Sequence, residues 1–242
     1  MNIQLSEHFS YQKLIRFTIP TIVMMIFTSI YGVVDGIFVS NCVGSEAFAA
    51  VNLIMPALMI LGSVGFMFGT GGSALVSKTI GEGKKEEANR YFSMLIYLLM
   101  LISIVFTVVG ILVIKPVSGL LGADESMMED CVTYGTTLLF FILPFSLQNA
   151  FQSFLIVAEK PTFGLVITVI MGIGNMLLDF LLIYVFKMGV FGAALATGIS
   201  QTIGAIVPFI YFMRKNTSLL HLTKTKWEGA VIWKTCVNGS SE

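Results

Sequence analysis

Six apolar stretches, at about 14–41, 47–77, 91–114, 131–158, 162–186 and 189–213, fill most of the 242 residues and constrain the fold more than any other feature. Apolar runs of 18 or more residues indicate transmembrane helices, because only a helix satisfies every backbone group within its own segment in lipid. Several runs exceed the roughly 20 residues needed to span, so tilt or protruding ends are expected. A membrane barrel would show alternating segments of about ten residues, which the sequence lacks. Apolar residues make up 56% and charged residues 12% of the chain, with a mean hydropathy of +0.88. A soluble domain carries about twice that charge. The expected fold is all-α: a polytopic membrane protein built as a six-transmembrane-helix bundle.

The basic residues set the orientation. Lys13 and Arg16 precede the first span, Lys78, Lys84, Lys85 and Arg90 fall between the second and third, and Lys160 lies between the fourth and fifth. Arg214, Lys215, Lys224, Lys226 and Lys234 follow the sixth. Twelve of the 14 basic residues therefore share one side, and only Lys115 and Lys187 lie on the other. That bias predicts both termini in the cytoplasm of a multi-pass plasma (inner) membrane protein, with the lipid bilayer as its constant partner. Net charge is zero, so no nucleic acid or acidic partner is implied.

Three segments follow from these signals: a cytoplasmic N-terminus over 1–12, a transmembrane region over 13–214, and a cytoplasmic segment over 215–242. Residues 116–130 are mixed and acidic and predict an interfacial segment outside. Residues 214–234 are basic with two tryptophans and predict a helix lying at the cytoplasmic interface. Cys42, Cys131 and Cys236 show no metal-ligand spacing, although Cys42 and Cys131 fall near one face, where a disulfide is compatible with the sequence. His8 and His221 stand alone in flanking segments. No Ser-His-Asp, Cys-His or zinc arrangement occurs, so the chain does not read as an enzyme, and no cofactor is implied.

Within the spans, Asp35 and Asp179 are isolated carboxylates. An acidic side chain in a bilayer costs about 2.5–3.5 kcal/mol on insertion scales and normally faces a protein interior or a wet cavity where it handles an ion or proton. Asp35 lies ~28 Å of helix beyond Arg16, and Asp179 ~27 Å beyond Pro161, which puts both in the outer half at similar height. Asn175 precedes Asp179 by four residues and shares its helix face. Thr197 sits ~12 Å down the sixth span from Gly189, in the same layer. Four oxygen-bearing side chains thus occupy one slab, suited to sodium or to protons. The alternative is a set of structural hydrogen bonds.

Pro20 lies 15 residues before Asp35 and removes a helical hydrogen bond, giving either a static bend or a hinge. Pro144 and Pro208 read as static bends. Gly62, Gly65, Gly69, Gly71, Gly72 and Ser73 give the second span a small-residue face for close helix packing. A phosphate-binding loop would need a strand–turn–helix context, which is absent. The Met and Phe residues are lipid-facing, core or part of an adaptable pocket. Asp35 is followed 14 and 15 residues later by Ala49-Ala50, and Asp179 at the same offsets by Ala193-Ala194, which reads as either an internal repeat or coincidence.

In these stretches the chain resembles the multidrug and toxic compound extrusion (MATE) family. The matching pieces are Pro20 through Val34-Asp35-Gly36, Gly44-Ser45-Glu46-Ala47 onward, Gly71 through Gly83, Glu87 to Arg90, Asn175 to Asp179 and Gly192 to Thr197. The resemblance implies one six-helix lobe of a twelve-helix antiporter that exports cationic or amphiphilic small molecules in exchange for Na+ or H+. It implies a cation site matching Asp35, Asn175, Asp179 and Thr197, and a transport-linked kink at Pro20. It also implies that residues 215–242 are an inter-lobe linker and the start of a seventh helix. Alternating access then requires a C-terminal lobe or a second chain. Two rivals are a lipid-linked oligosaccharide flippase, which would place basic residues in its cavity, and a membrane fragment that does not transport.

Overall fold

The computed structural model describes residues 11–240, and among these eight helices and no strand occur. The expected lead-in over 1–12, with His8, lies almost wholly outside the described residues, as do the side chains of Lys13 and Arg16. Helix α1 spans Tyr11–Phe38 and continues as a π-helical turn over Val39–Val43. Next come α2 (Ser45–Gly81) and α3 (Lys85–Leu120). The fourth span is a broken pair, α4 (Glu125–Phe140) and α5 (Ile142–Val157), bent by 57°. Helix α6 (Pro161–Asp179) also continues as a π-helical turn, Phe180–Val185, before α7 (Gly189–Met213) and the short α8 (Gly229–Gly239). Counting the bent pair as one span, six helical segments are long and apolar enough to cross a membrane.

Pro144 accounts for the break. It supplies no N–H to the carbonyl of Phe140, four residues earlier, and the chain leaves helical geometry at Phe141 (φ −104°, ψ 9°). Pro20, Pro56, Pro116 and Pro208 all lie inside helices that continue through them.

Two expected segments differ. The acidic stretch is not a separate element: α3 runs to Leu120 and α4 starts at Glu125. Gly122 takes a left-handed φ of +101°. Asp124 caps α4, its carboxylate accepting from the Met127 N–H at 3.0 Å and from the Ser126 hydroxyl at 2.8 Å. The Ser126 hydroxyl, with the Met127 amide behind it, holds this carboxyl below the usual carboxylate range.

The basic stretch after α7, expected to be helical over 214–234, is helical only from Gly229. Residues 214–228 form a non-helical strap tied to α3. Asn89 Oδ1 accepts from the His221 N–H (2.8 Å), Ser93 Oγ accepts from the Thr223 N–H (2.8 Å), and the Thr225 hydroxyl donates to the Arg90 carbonyl (2.9 Å). These side chains give the strap the partners that a helix would have found internally. Helix α8 then packs on α2.

The glycines of α2 serve close packing, as expected. A Cβ on Gly65 would meet the Ser146 backbone at 2.6 Å, one on Gly71 the Thr235 carbonyl at 2.1 Å, and one on Gly62 the Phe145 ring at 2.0 Å. The interior divides into two apolar clusters. One, toward the basic end, centres on Phe92, Phe151, Phe154 and Phe212. The other, toward the opposite end, holds Ile54, Tyr134, Leu139 and Ile183. The cysteines are unbridged: Cys42 is exposed, whereas Cys131 is buried with its thiol directed at the Ala50 carbonyl (3.4 Å).

Candidate functional site

Helices α1 and α6 pack side by side, and the two π-helical turns touch each other. In each case the same sequence of events recurs. An aspartate near the end of a helix is followed by a π-type bond, Gly44 N–H to the Val39 carbonyl (3.1 Å) or Phe186 N–H to the Leu181 carbonyl (2.9 Å). A glycine with positive φ then leads into the next helix, Gly44 at +134° and Gly189 at +60°. The repeat noticed in the Asp–Ala-Ala spacing thus has a structural counterpart. A π-type turn admits an extra residue and re-aims the side chains beside it.

This local geometry brings Asp35 and Asp179 close enough to interact electrostatically. Two carboxylates this close hold like charges when both are ionised, which a shared proton or cation can neutralise. Asp179 is fully buried and Asn175 is 2% exposed. Among the described residues, no donor reaches either oxygen of Asp179, Oδ1 of Asp35 or Oδ1 of Asn175. Leaving a buried polar atom unsatisfied costs about 1–3 kcal/mol. Four such acceptor atoms in one place suit a bound positive charge.

The four predicted residues do not play equal parts. Asp35, Asn175 and Thr197 line one cavity of about 560 Å³. Asp179 stands behind that wall, against Asp35. Sequence depth placed all four in one layer; the structure sets Asp35, Asn175 and Thr197 on one cavity and leaves Asp179 out of its lining. Pro20 is distant from this cluster along the continuous α1.

Tyr134, on α4, was not anticipated. It is fully buried, its hydroxyl has no partner among the described residues, and it lies within electrostatic reach of both carboxylates. A tyrosine in a membrane span carries no spacing signal of its own, and only the packing of α4 brings it to the pair.

The cavity is mostly apolar. Met24, Met25, Met55, Met59, Phe66 and Phe145 form the greasy wall that the sequence could not assign, while Gln148, Gln152 and Gln201 add neutral polar groups. Among the described residues, Asp35 is the one carboxyl in the lining, and neither Lys nor Arg lines the cavity. An adaptable wall with one acid suits amphiphiles that carry positive charge.

Comparison with known proteins agrees with the fold. The MatE family model matches residues 20–181. The chain is similar to the multidrug export protein MepA of Staphylococcus saprophyticus, with 25% identity over 223 residues, covering 89% of this chain and 49% of that protein. It is similar to MepA of Staphylococcus haemolyticus at 26% over 211 residues, covering 86% and 46%. A solved structure of MATE in the straight conformation superposes with a TM-score of 0.87 at 24% identity, covering 93% of this chain and 51% of that one. At that identity the likeness shows the fold alone. The chain spans about half the length of the curated relatives it matches.

Proposed function

The chain belongs to the MatE family, and on that premise we propose that it forms the ion-coupled lobe of an exporter. That exporter moves amphiphilic or cationic small molecules across the plasma membrane in exchange for sodium ions or protons. The observation that carries this reading is the Asp35–Asp179 pair. Its buried oxygens lack hydrogen-bond donors, and one member opens onto a methionine- and phenylalanine-lined cavity.

Asp35 faces the cavity and Asp179 backs it, so a positive charge between them neutralises the group that an organic cation would otherwise meet. Ion binding and substrate binding then oppose each other, which is the coupling that antiport requires. Asn175 and Thr197 add neutral oxygens of the kind that hard cations prefer, and the Tyr134 hydroxyl can donate to whichever carboxylate remains charged. Pro20 is the proposed hinge through which occupancy at Asp35 alters the course of α1. The basic end of the bundle is proposed to face the cytoplasm. Alternating access engages a second lobe, from a longer chain or from a second copy. The absence of basic residues from the cavity lining, among the described residues, counts against the flippase alternative.

The test is uptake of a lipophilic cationic dye into inside-out vesicles carrying the protein, driven by an imposed sodium or proton gradient. The reading expects gradient-driven uptake that is lost in both Asp35→Asn and Asp179→Asn at equal protein level. Uptake that survives unchanged in both variants contradicts it.

A further inference from the structure

A second cavity, of about 450 Å³, opens between the last turns of α1 and the first turns of α2, at the end of the bundle opposite the basic end. It meets the larger cavity at three shared lining residues, Gly32, Asp35 and Met55. Asp35 therefore sits in the partition and contributes to both walls. Beyond it, toward the mouth, the smaller cavity is lined by Ser40, Asn41 and Asn52.

The charge of that lining is one-sided. Asn41 and Asn52 each give one amide N–H to a carbonyl of their own helix turn, Ile37 O at 3.0 Å and Phe48 O at 2.7 Å. The amide oxygen and the second N–H of each are left for water or a ligand. With the Asp35 carboxylate below them, the cavity offers acceptors and a negative charge, and among the described residues no Lys or Arg lines it. Depth adds a second argument. Asn52 is exposed and lies ~10 Å of helix beyond Ser45. An exposed amide at that depth in hydrocarbon has no hydrogen-bonding solvent, whereas one on a wet cavity does. Polar side chains at membrane depth mark water-filled paths for this reason.

We propose that the α1–α2 cavity is a hydrated vestibule that conducts a small monovalent cation, sodium or a water-borne proton, to Asp35. It is separate from the larger cavity that receives the organic molecule. This rests on the ion-coupled reading given above and adds to it a route. Ion and substrate reach opposite sides of one carboxylate, so their competition at Asp35 does not require them to share a passage.

Thiol accessibility in native membranes tests it. Asn52→Cys is made in a background with Cys42, Cys131 and Cys236 changed to Ser, and is treated with a cationic trimethylammonium and an anionic sulfonate methanethiosulfonate. Leu112→Cys is the lipid-face reference: Leu112 is 76% exposed and lies ~12 Å from the end of α3, a depth close to that of Asn52. Asn41→Cys, nearer the mouth, is a second reporter should Asn52→Cys not accumulate. The vestibule predicts that Asn52→Cys reacts with the cationic reagent at least tenfold faster than Leu112→Cys. It also predicts a cationic-to-anionic rate ratio above that of a free thiol, with the excess lost on adding Asp35→Asn. Labelling as slow as at Leu112→Cys overturns the proposal, since the groove is then lipid-filled. A ratio equal to that of a free thiol also overturns it, since the groove is then wet but not selective for cations. The readout needs neither ion binding nor transport, so its failure is distinct from failure of the coupling reading.

Discussion

The two ends of this bundle are built from the same helices and solve opposite problems. Toward the basic end, the Phe92, Phe151, Phe154 and Phe212 rings interlock, with Phe92 centroids 4.8 Å from Phe154 and 4.9 Å from Phe212. Helices α2 and α8 meet there through glycine, and Asn89 and Ser93 have partners on the strap. Toward the opposite end the helices loosen into π-type turns, two cavities open, and buried carboxylate and amide oxygens lack donors. Close packing cannot be re-formed in a second arrangement at low cost, whereas a polar, partly empty region can. The contrast assigns rigidity to one end and response to the other.

The strongest way to break this contrast is at Gly71. An added side chain there strikes the Thr235 carbonyl of α8, so Gly71→Val should cost about 3 kcal/mol or more, read as a lower melting temperature in detergent and lower yield. Phe154→Ala, in the aromatic cluster, should cost a similar 3–5 kcal/mol. If either were neutral, the basic end would not be the rigid one.

The opposite sign is expected at the other end. Asp179→Asn removes a buried charge that has no donor, so it should raise stability in sodium-free buffer by about 1–3 kcal/mol while losing the response to ions. A clear loss of stability would mean that the carboxylate is structural.

Smaller effects sharpen the comparison. Asn89→Ala releases the strap and should cost about 1–2 kcal/mol, seen best as faster proteolysis between 214 and 228. Asp124→Ala removes a fully exposed helix cap and should lower the melting temperature only slightly. Because the folded Asp124 carboxyl lies below its ordinary value, its contribution is present above that value. The contribution is lost as pH falls through the folded value, so wild type and variant should converge below about pH 4.

The spans were legible because apolar length is a local property of the sequence. The candidate site was legible in part for a related reason: counting residues from each expected membrane boundary singled out Asp35, Asn175 and Thr197, which share one cavity, without knowledge of packing. What the sequence hid depends on contacts between distant segments. The strap's bond from His221 to Asn89 joins residues 132 apart, and nothing in either neighbourhood announces it; the basic, tryptophan-bearing composition pointed instead to an interfacial helix. Tyr134 joins the carboxylates only because α4 packs where it does. Gly122 and Asp124 were readable as a helix stop and start, yet the acidic composition around them suggested a separate segment. Pro144 was visible, but nothing local to it told that the helix would break there by 57° while continuing through Pro20, Pro56, Pro116 and Pro208.

The most direct test of the central claim is a thermal-stability titration of the purified protein with sodium at several pH values, beside Asp179→Asn. A ligand that binds only the folded state stabilises it by RT ln(1 + [L]/Kd). The account predicts saturable stabilisation by sodium, or a pH-dependent stability in its place, that is present in the wild type and absent from the variant. The same response in both proteins would contradict it.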